Sequence, residues 1–170
     1  DNKKGDPGFM LEDPKQITAA KIRIAAMDIL TGREYSRAEL ATKLNRRFDH
    51  HPDIDQVLQQ LSEDGLQSDA RFTEAFIRSR VLRGHGMTRI RQDIRQKGIA
   101  AQLVEAGLEE ADVDWFELAL DVAQRKFGHC PAEDQRERAR RMRFMQYRGF
   151  NFDQVKYALG TLDNGKDWDI

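Results

Sequence analysis

The chain has 170 residues and a formal net charge of −1, with 39% hydrophobic and 34% charged residues. Because an average globular protein is roughly 25% charged, this composition favours a helical protein with a large surface for its mass. Its one cysteine, Cys130, excludes an internal disulfide framework and is typical of a reducing compartment. No apolar run approaches the roughly 20 residues that span a bilayer, and no signal-peptide pattern is present, so we expect a cytoplasmic protein.

The first third of the chain predicts a leader followed by three short helices. Residues 1–17 contain two Pro and two Gly without apolar periodicity, and are predicted to be a flexible leader. Residues 18–65 then carry three apolar stripes at helical spacing. The second helix is predicted to begin at Ser36, because Ser36 and Glu39 form a capping box in which each side chain satisfies a backbone amide. The third is predicted to follow Pro52 and to end at Gly65.

The three-helix pattern repeats twice more, over residues 66–110 and 111–162. Three pairs of matching residues are 51 positions apart: Gly98 and Gly149, Val104 and Val155, and Leu108 and Leu159. Since units of this size bury their apolar faces against their neighbours, the sequence predicts an all-α, elongated array of three tandem three-helix units. Residues 163–170 are predicted to be a C-terminal tail.

Basic residues concentrate in two segments of this nearly neutral chain. From Arg71 to Lys97 there are eight basic and two acidic residues, a net charge of +6. From Arg136 to Arg148 there are six arginines and one acidic residue, a net charge of +5. Arginine forks suit phosphate and carboxylate groups, so both segments are candidate contact surfaces for nucleic acid or an acidic protein groove. The alternative is a solvated face whose charges pair with acidic neighbours.

Partner contact is favoured for residues 71–97, because the acidic counterions within this segment are sparse. Arg80 lies on the apolar stripe of Phe72 and Phe76, so its stem is predicted to cover apolar surface. Spacing of four and then three residues places three arginines of the later segment on one helical face. The predicted contact residues are Arg71, Arg78, Arg83, Arg89, Arg91, Arg95 and Lys97, with Arg136, Arg140 and Arg143 as a second group.

Several of these motifs resemble the RecX family of recombinase regulators. The resemblance is carried by FIRSR at 76–80, GHG at 84–86, RIRQ at 89–92 and KGI at 97–99. Three later segments also resemble the family: DVDW at 112–115, RKFG at 125–128 and RFMQYRGF at 143–150. The similarity extends from about Ala20 to Leu162, although residues 20–65 match mainly in their apolar pattern.

This resemblance implies a crescent of three tandem three-helix units that binds the RecA recombinase. Proteins of the family lie in the groove of the RecA filament on DNA and limit filament extension, ATP hydrolysis, strand exchange and coprotease activity. The resemblance implies no catalytic site and no cofactor, and DNA would be contacted weakly or through the filament. We expect a monomer.

An autonomous DNA-binding module of helix-turn-helix type is the alternative function. The turn at 84–86 joins two predicted helices, and residues 88–97 form a candidate recognition helix with Arg89, Arg91 and Gln92 near its start. Three repeats and the lack of an evident dimerisation segment count against a sequence-specific regulator. Most aromatic residues lie at core spacing, so the sequence does not predict a base-stacking platform.

The sequence contains few residues in patterns typical of catalytic or metal-binding sites. The pairs His50-His51 and His129-Cys130 do not reach the four ligands of a zinc site, and no glycine-rich phosphate loop is present. We therefore predict that the protein is not an enzyme.

Two further expectations concern individual residues. Five glycines follow predicted helices, where glycine supplies a left-handed C-cap: Gly84, Gly86, Gly98, Gly128 and Gly149. Reversal of Arg89 and Arg91 to Glu is expected to weaken filament inhibition without changing helicity or melting.

Overall fold

The computed structural model describes residues 16–164, which form nine α-helices and no strand. The predicted all-α fold built from three-helix units is confirmed. The helices are α1 (Ala19–Gly32), α2 (Arg37–Arg47), α3 (Ile54–Glu63), α4 (Asp69–Leu82), α5 (Met87–Arg95), α6 (Ala101–Ala111), α7 (Trp115–Phe127), α8 (Gln135–Tyr147) and α9 (Phe152–Leu162). Most of the predicted leader, residues 1–15, and most of the predicted tail, residues 165–170, lie outside the described residues.

Side-chain caps define where several helices begin. The predicted capping box of α2 is confirmed, since Ser36 Oγ accepts from the Glu39 amide at 3.1 Å and the Glu39 carboxylate accepts from the Ser36 amide at 3.2 Å. Asn151 and Gln154 form a second box at the start of α9. A cap of this kind contributes about 1 kcal/mol to helix stability. The two capping boxes therefore determine where α2 and α9 begin.

The described residues form two compact units, and the first contains residues 16–72 and Lys97–Ile99. Its core lies among α1, α2 and α3, where the apolar stripes of the three helices meet. Ile17 is also buried in this core, although the predicted leader included it. The largest fully buried side chains here are Ile22, Leu40, Leu44, Phe48, Ile54, Leu58 and Leu61.

The second unit contains Thr73–Gln96 and residues 100–164, and therefore most of the second and third predicted repeats. One of its cores lies among α7, α8 and α9, built around Met145, Phe150 and Leu159. Elsewhere in this unit, α6 approaches α4 closely at Gly107, where an added Cβ would lie 2.8 Å from Thr73 Cγ2. Asp163, which was assigned to the predicted tail, is buried and accepts a hydrogen bond from the Ala132 amide at 2.9 Å.

Backbone hydrogen bonds join two glycine-containing turns of the second unit to each other. The Gly86 amide donates to the Arg148 carbonyl at 2.8 Å, and the Thr88 amide donates to the Gly149 carbonyl at 3.2 Å. An added Cβ at Gly86 would lie 2.4 Å from the Gly149 carbonyl oxygen. The α4–α5 turn and the α8–α9 turn are thus held together by hydrogen bonds that leave no room for a side chain.

The prediction that Gly86 is a left-handed C-cap is wrong. Gly86 has φ −83° and is the N-cap of α5, because the close approach of Gly149, not a positive φ, requires glycine there. The other four predicted caps, at Gly84, Gly98, Gly128 and Gly149, do have positive φ.

Candidate partner-binding surface

Two basic side chains of α4 and α5, Arg78 and Arg91, have acidic partners within the second unit. Arg78 pairs with Glu74 at 2.7 Å, one turn away on α4. Arg91 makes two hydrogen bonds to Glu105 of α6, at 2.8 and 3.0 Å, and this contact lowers the pKa of the Glu105 carboxyl. Such exposed pairs contribute only about 0–1 kcal/mol each. They orient the guanidinium groups more than they stabilise the fold.

Two further predicted contact residues pair with acidic groups of the first unit. Arg71 contacts Glu34 at 2.9 Å, and Lys97 contacts Glu39 at 3.4 Å. Partial burial would raise the pKa of Glu39, but hydrogen bonds from Arg33 and the Ser36 amide, with the charges of Arg33 and Lys97, lower it overall. Glu39 therefore caps α2 and also contacts two cations, Arg33 and Lys97.

The expectation that residues 71–97 have few acidic counterions is wrong. That count considered only acidic residues inside the segment, namely Glu74 and Asp93. Glu34, Glu39 and Glu105 also supply carboxylates, and all three lie outside it in sequence. The net charge counted over a sequence segment therefore differs from the net charge of the surface to which that segment contributes.

Arg80 has the structural role that the sequence predicts. Its guanidinium carbon lies 4.6 Å from the centre of the Phe76 ring, and its Nη1 contacts Asp93 at 3.0 Å. The side chain is about one-fifth exposed. Arg80 thus joins α4 to α5 and is not available to a partner.

Arg89 also has partners within the protein. Its guanidinium stacks over the Tyr147 ring at 4.7 Å, donates weakly to the Tyr147 carbonyl at 3.5 Å, and lies 3.8 Å from Asp93. Because Arg91 is bound by Glu105, reversal of Arg89 and Arg91 to Glu would place like charges together and disturb the fold. The expectation of unchanged melting for that double variant does not fit these contacts.

Arg83 and Arg95 are exposed and make no ion pair with any residue that the structure describes. Arg83 follows the last turn of α4, and Arg95 ends α5. These two are therefore the members of the α4–α5 group whose charge is fully available to a partner.

Helix α8 presents the second predicted group on one exposed face, as the spacing indicates. Arg136, Arg140 and Arg143 are all exposed. Arg140 lies 3.6 Å from Glu137, whereas Arg136 and Arg143 have no ion pair within residues 16–164. The face is thus a line of guanidinium groups with Glu133, Asp134 and Glu137 beside it, and of these three only Glu137 forms an ion pair with the line among the described residues.

The same helix turns Arg141 inward. Arg141 is 4% exposed, donates to the Cys130 carbonyl at 2.9 Å and to Glu137 at 3.1 Å, and lies 4.9 Å from the Phe127 ring centre. Its contacts hold the loop before α8 against α7 and α8. Position in the helical period separates this structural arginine from its exposed neighbours.

Tyr147 continues the exposed line of α8 and was missed by the sequence analysis. Its side chain is 72% exposed, although the sequence placed most aromatic residues at core spacing. The signal was present, because Tyr147 follows Arg143 by four positions and so extends the same face. With Arg89 against one side of its ring, Tyr147 places an aromatic surface at the end of the arginine line.

His85 lies beneath these groups in the α4–α5 turn. It is 8% exposed, and its Nδ1 has no hydrogen-bond partner among residues 16–164. Burial lowers the pKa of His85, and the neighbouring charges of Arg89, Arg80 and Arg148 lower it further, against an opposing effect of Asp93. Neutral imidazole is therefore favoured in the folded protein.

The histidines considered as metal ligands have other surroundings. His51 Nδ1 accepts from the Asp53 amide at 3.1 Å and so supports the turn before α3. Cys130 is exposed in the loop between α7 and α8. Within residues 16–164 no three His, Cys, Asp or Glu side chains cluster as metal ligands would, and no helix is long and apolar enough to cross a bilayer.

Two segments of the chain match models of known three-helix domains. Residues 68–108 match the second three-helix domain of RecX, and residues 112–159 match the third. A crystal structure of RecX from Lactobacillus salivarius superposes with a TM-score of 0.72 at 23% identity, covering 86% of this chain and 97% of that one. At that identity the superposition establishes the fold alone.

Sequence relatives extend over nearly the whole chain. The regulatory protein RecX of Halorhodospira halophila is 46% identical over 142 residues, which is 84% of this chain and 88% of the relative. The RecX of Pseudomonas putida strain GB-1 is 43% identical over 152 residues, 89% of this chain and 95% of the relative. Both are named regulatory proteins. The chain therefore belongs to the RecX family.

Proposed function

We propose that this protein binds filaments of the RecA recombinase on DNA and limits their extension, and with it ATP hydrolysis, strand exchange and coprotease activity. Membership of a family of proteins named as regulators supports a regulatory role. The exposed arginines that make no ion pair in the described part of the chain support the proposal further, because they offer positive charge to a filament made of protein and phosphate.

Four arginines are the first candidates for contact: Arg83, Arg95, Arg136 and Arg143. These side chains have no ion pair with a carboxylate of the described residues that would have to break when the partner binds. The remaining candidates would exchange an internal carboxylate for the partner and so contribute less to affinity: Arg71, Arg78, Arg89, Arg91, Lys97 and Arg140. The protein would act by occupying the filament groove, as a monomer in the cytoplasm, without catalysis or a cofactor.

The direct experiment adds the purified protein to RecA on single-stranded DNA. ATP hydrolysis and filament length are followed as the protein is titrated. We expect both to fall together at protein concentrations below that of RecA, because one occupied position stops extension beyond it. Unchanged hydrolysis and unchanged filament length at excess protein would contradict the proposal.

An autonomous nucleic-acid-binding function is the second candidate. The exposed Tyr147 ring at the end of the α8 arginine line favours it, because bases stack on such rings while phosphates follow the cations. Sequence-specific helix-turn-helix reading is less favoured, since the start of α5 is hydrogen-bonded to the α8–α9 turn and Arg91 is bound by Glu105. Steeply salt-dependent binding of oligonucleotides without RecA would support this second function.

A further inference from the structure

A groove in the second unit lies apart from the outward face of α8 and from most of the proposed contact residues. It has a volume of about 460 Å³, within the range of roughly 300–1,000 Å³ that is usual for ligand sites. It runs between the end of α4, one side of α7 and the last turn of α8. Its lining residues are Val81, Leu82, Arg83, Gly84, Leu118, Asp121, Val122, Arg125, Lys126, Phe144 and Arg148.

The floor of the groove is apolar, and one of its edges is an exposed leucine. Val81, Leu118 and Val122 are largely covered aliphatic side chains, and Phe144 adds an aromatic ring. Leu82, at the end of α4, is 80% exposed. A large exposed apolar residue beside an apolar groove is typical of a protein contact surface.

The rim of the groove is basic. Four cationic side chains line it, from Arg83, Arg125, Lys126 and Arg148, against one carboxylate, Asp121. Asp121 is already paired with Arg125 at 3.1 Å, so three positive charges remain without an acidic neighbour on the rim. The occupant that fits by charge is therefore an anion.

Two of these cations are held in place around Phe144. The Arg148 guanidinium lies 5.0 Å from the ring centre and donates to the Arg83 carbonyl at 2.9 Å. The Lys126 ammonium lies 5.2 Å from the same ring. Because their positions are fixed before binding, they lose less conformational entropy when an anion approaches.

We propose that this groove is a docking site for a short acidic peptide segment of another protein, with one bulky apolar side chain between its carboxylates. The apolar side chain would cover Leu82 and the floor, and the flanking carboxylates would meet Lys126, Arg148 and Arg83. A nucleic acid strand is disfavoured, because the floor is mostly aliphatic and phosphates make no use of Leu82. This site does not depend on the recombinase being the partner.

The test measures binding of a fluorescent peptide in which a single tryptophan lies between two short runs of aspartate. The full chain is titrated into the peptide and polarisation is recorded without RecA. We expect saturable binding that weakens with salt. Leu82→Ser should weaken it about tenfold or more, since the leucine loses its buried contact, and Lys126→Glu about fivefold or more.

Matched variants elsewhere on the surface provide the controls. Ile24→Ser removes an apolar side chain that is 66% exposed on α1, and Arg46→Glu reverses an exposed charge on α2. Both should bind the peptide as the wild type does, and circular dichroism should show equal helicity for all four variants. Replacing tryptophan by serine in the peptide should reduce binding as strongly as Leu82→Ser does.

Three results would overturn the proposal. The first is no binding of the peptide by the wild-type chain. The second is equal loss of binding in the control variants, which would indicate a diffuse charge effect. The third is full displacement of the peptide by an oligothymidylate whose own binding is indifferent to Leu82→Ser, which would assign the basic rim to nucleic acid.

Discussion

The α4–α5 segment and helix α8 carry similar excesses of positive charge, but they use their arginines differently. In the α4–α5 segment, Arg80 and Arg91 each form an ion pair with a carboxylate on another helix. Part of the positive charge is therefore neutralised within the protein. In α8, Arg141 is buried and Arg138 is half-buried, whereas three other arginines form an exposed line beside three acidic residues: Arg136, Arg140 and Arg143 beside Glu133, Asp134 and Glu137. Each region keeps two unpaired exposed arginines among the described residues, but α8 places its pair on one face of a single helix.

This difference shows why local charge density is a poor guide to a binding surface. The acidic partners of Arg71 and Arg91 are 37 and 14 positions away in sequence, and only the fold brings them close. In α8, by contrast, the helical period alone separates exposed from buried positions. Contact predictions from sequence are consequently better founded within one helix than across several.

The largest expected effect comes from the turn where the two basic regions join. Gly149→Ala would place a Cβ 2.5 Å from Arg89 Cβ and 2.7 Å from the Arg89 amide, so backbone has to move. We expect a loss of about 3 kcal/mol in unfolding free energy, measured by denaturant titration. Gly65→Ala is the control, because its φ is also positive but no described atom lies within 4 Å of the added Cβ. Equal losses in the two variants would contradict the account of this turn.

Arg141→Ala should be the next most damaging change. It removes the hydrogen bond to the Cys130 carbonyl and the packing against Phe127, both in a buried position. We expect a loss of about 2 kcal/mol in unfolding free energy. Arg143→Ala, two positions away on the exposed face, should change it by less than about 0.5 kcal/mol. A similar loss in both variants would mean that α8 does not divide its arginines as described.

A smaller effect should separate paired from unpaired arginines on α5. Arg91→Glu would set two carboxylates against each other at Glu105, so we expect about 1 kcal/mol of destabilisation. The decrease should shrink at high salt, because the charges are partly exposed. Arg95→Glu, which has no ion pair to lose among the described residues, should be destabilised less, by about 0.5 kcal/mol, because it places a carboxylate at the C-terminal end of α5. Melting curves at low and high salt measure both, and a larger loss in Arg95→Glu would reverse the assignment.

The smallest effect concerns His85 and its surrounding arginines. Because the pKa of His85 is lower in the folded protein, the unfolded chain binds the proton more readily as the pH falls through about 6.5. Stability should therefore be complete above that pH and decline below it. His85→Gln should reduce this slope between about pH 7 and pH 5 in denaturant titrations. An unchanged slope would show that the histidine titrates alike in both states.

Much of the fold could be predicted from the sequence because its signals are local. The capping box at Ser36 and the cap at Asn151 are short patterns, and the stripe of Leu40, Leu44 and Phe48 follows one helix. The role of Gly86 could not be predicted, since the group that excludes a side chain there is the Gly149 carbonyl, 63 positions later. The groove around Phe144 could not be predicted from the sequence either. Its lining residues come from α4, α7 and α8, and only the fold brings them together.

The most direct measurement of the central claim is RecA-catalysed ATP hydrolysis on single-stranded DNA in the presence of Arg136→Glu/Arg143→Glu. These side chains make no ion pair within residues 16–164, so the variant should fold as the wild type does and require at least about tenfold more protein for the same inhibition. Lys21→Glu/Arg46→Glu, with the same charge change on exposed positions of α1 and α2, should inhibit normally. Wild-type inhibition by a folded Arg136→Glu/Arg143→Glu protein would contradict the claim that the unpaired face of α8 meets the filament.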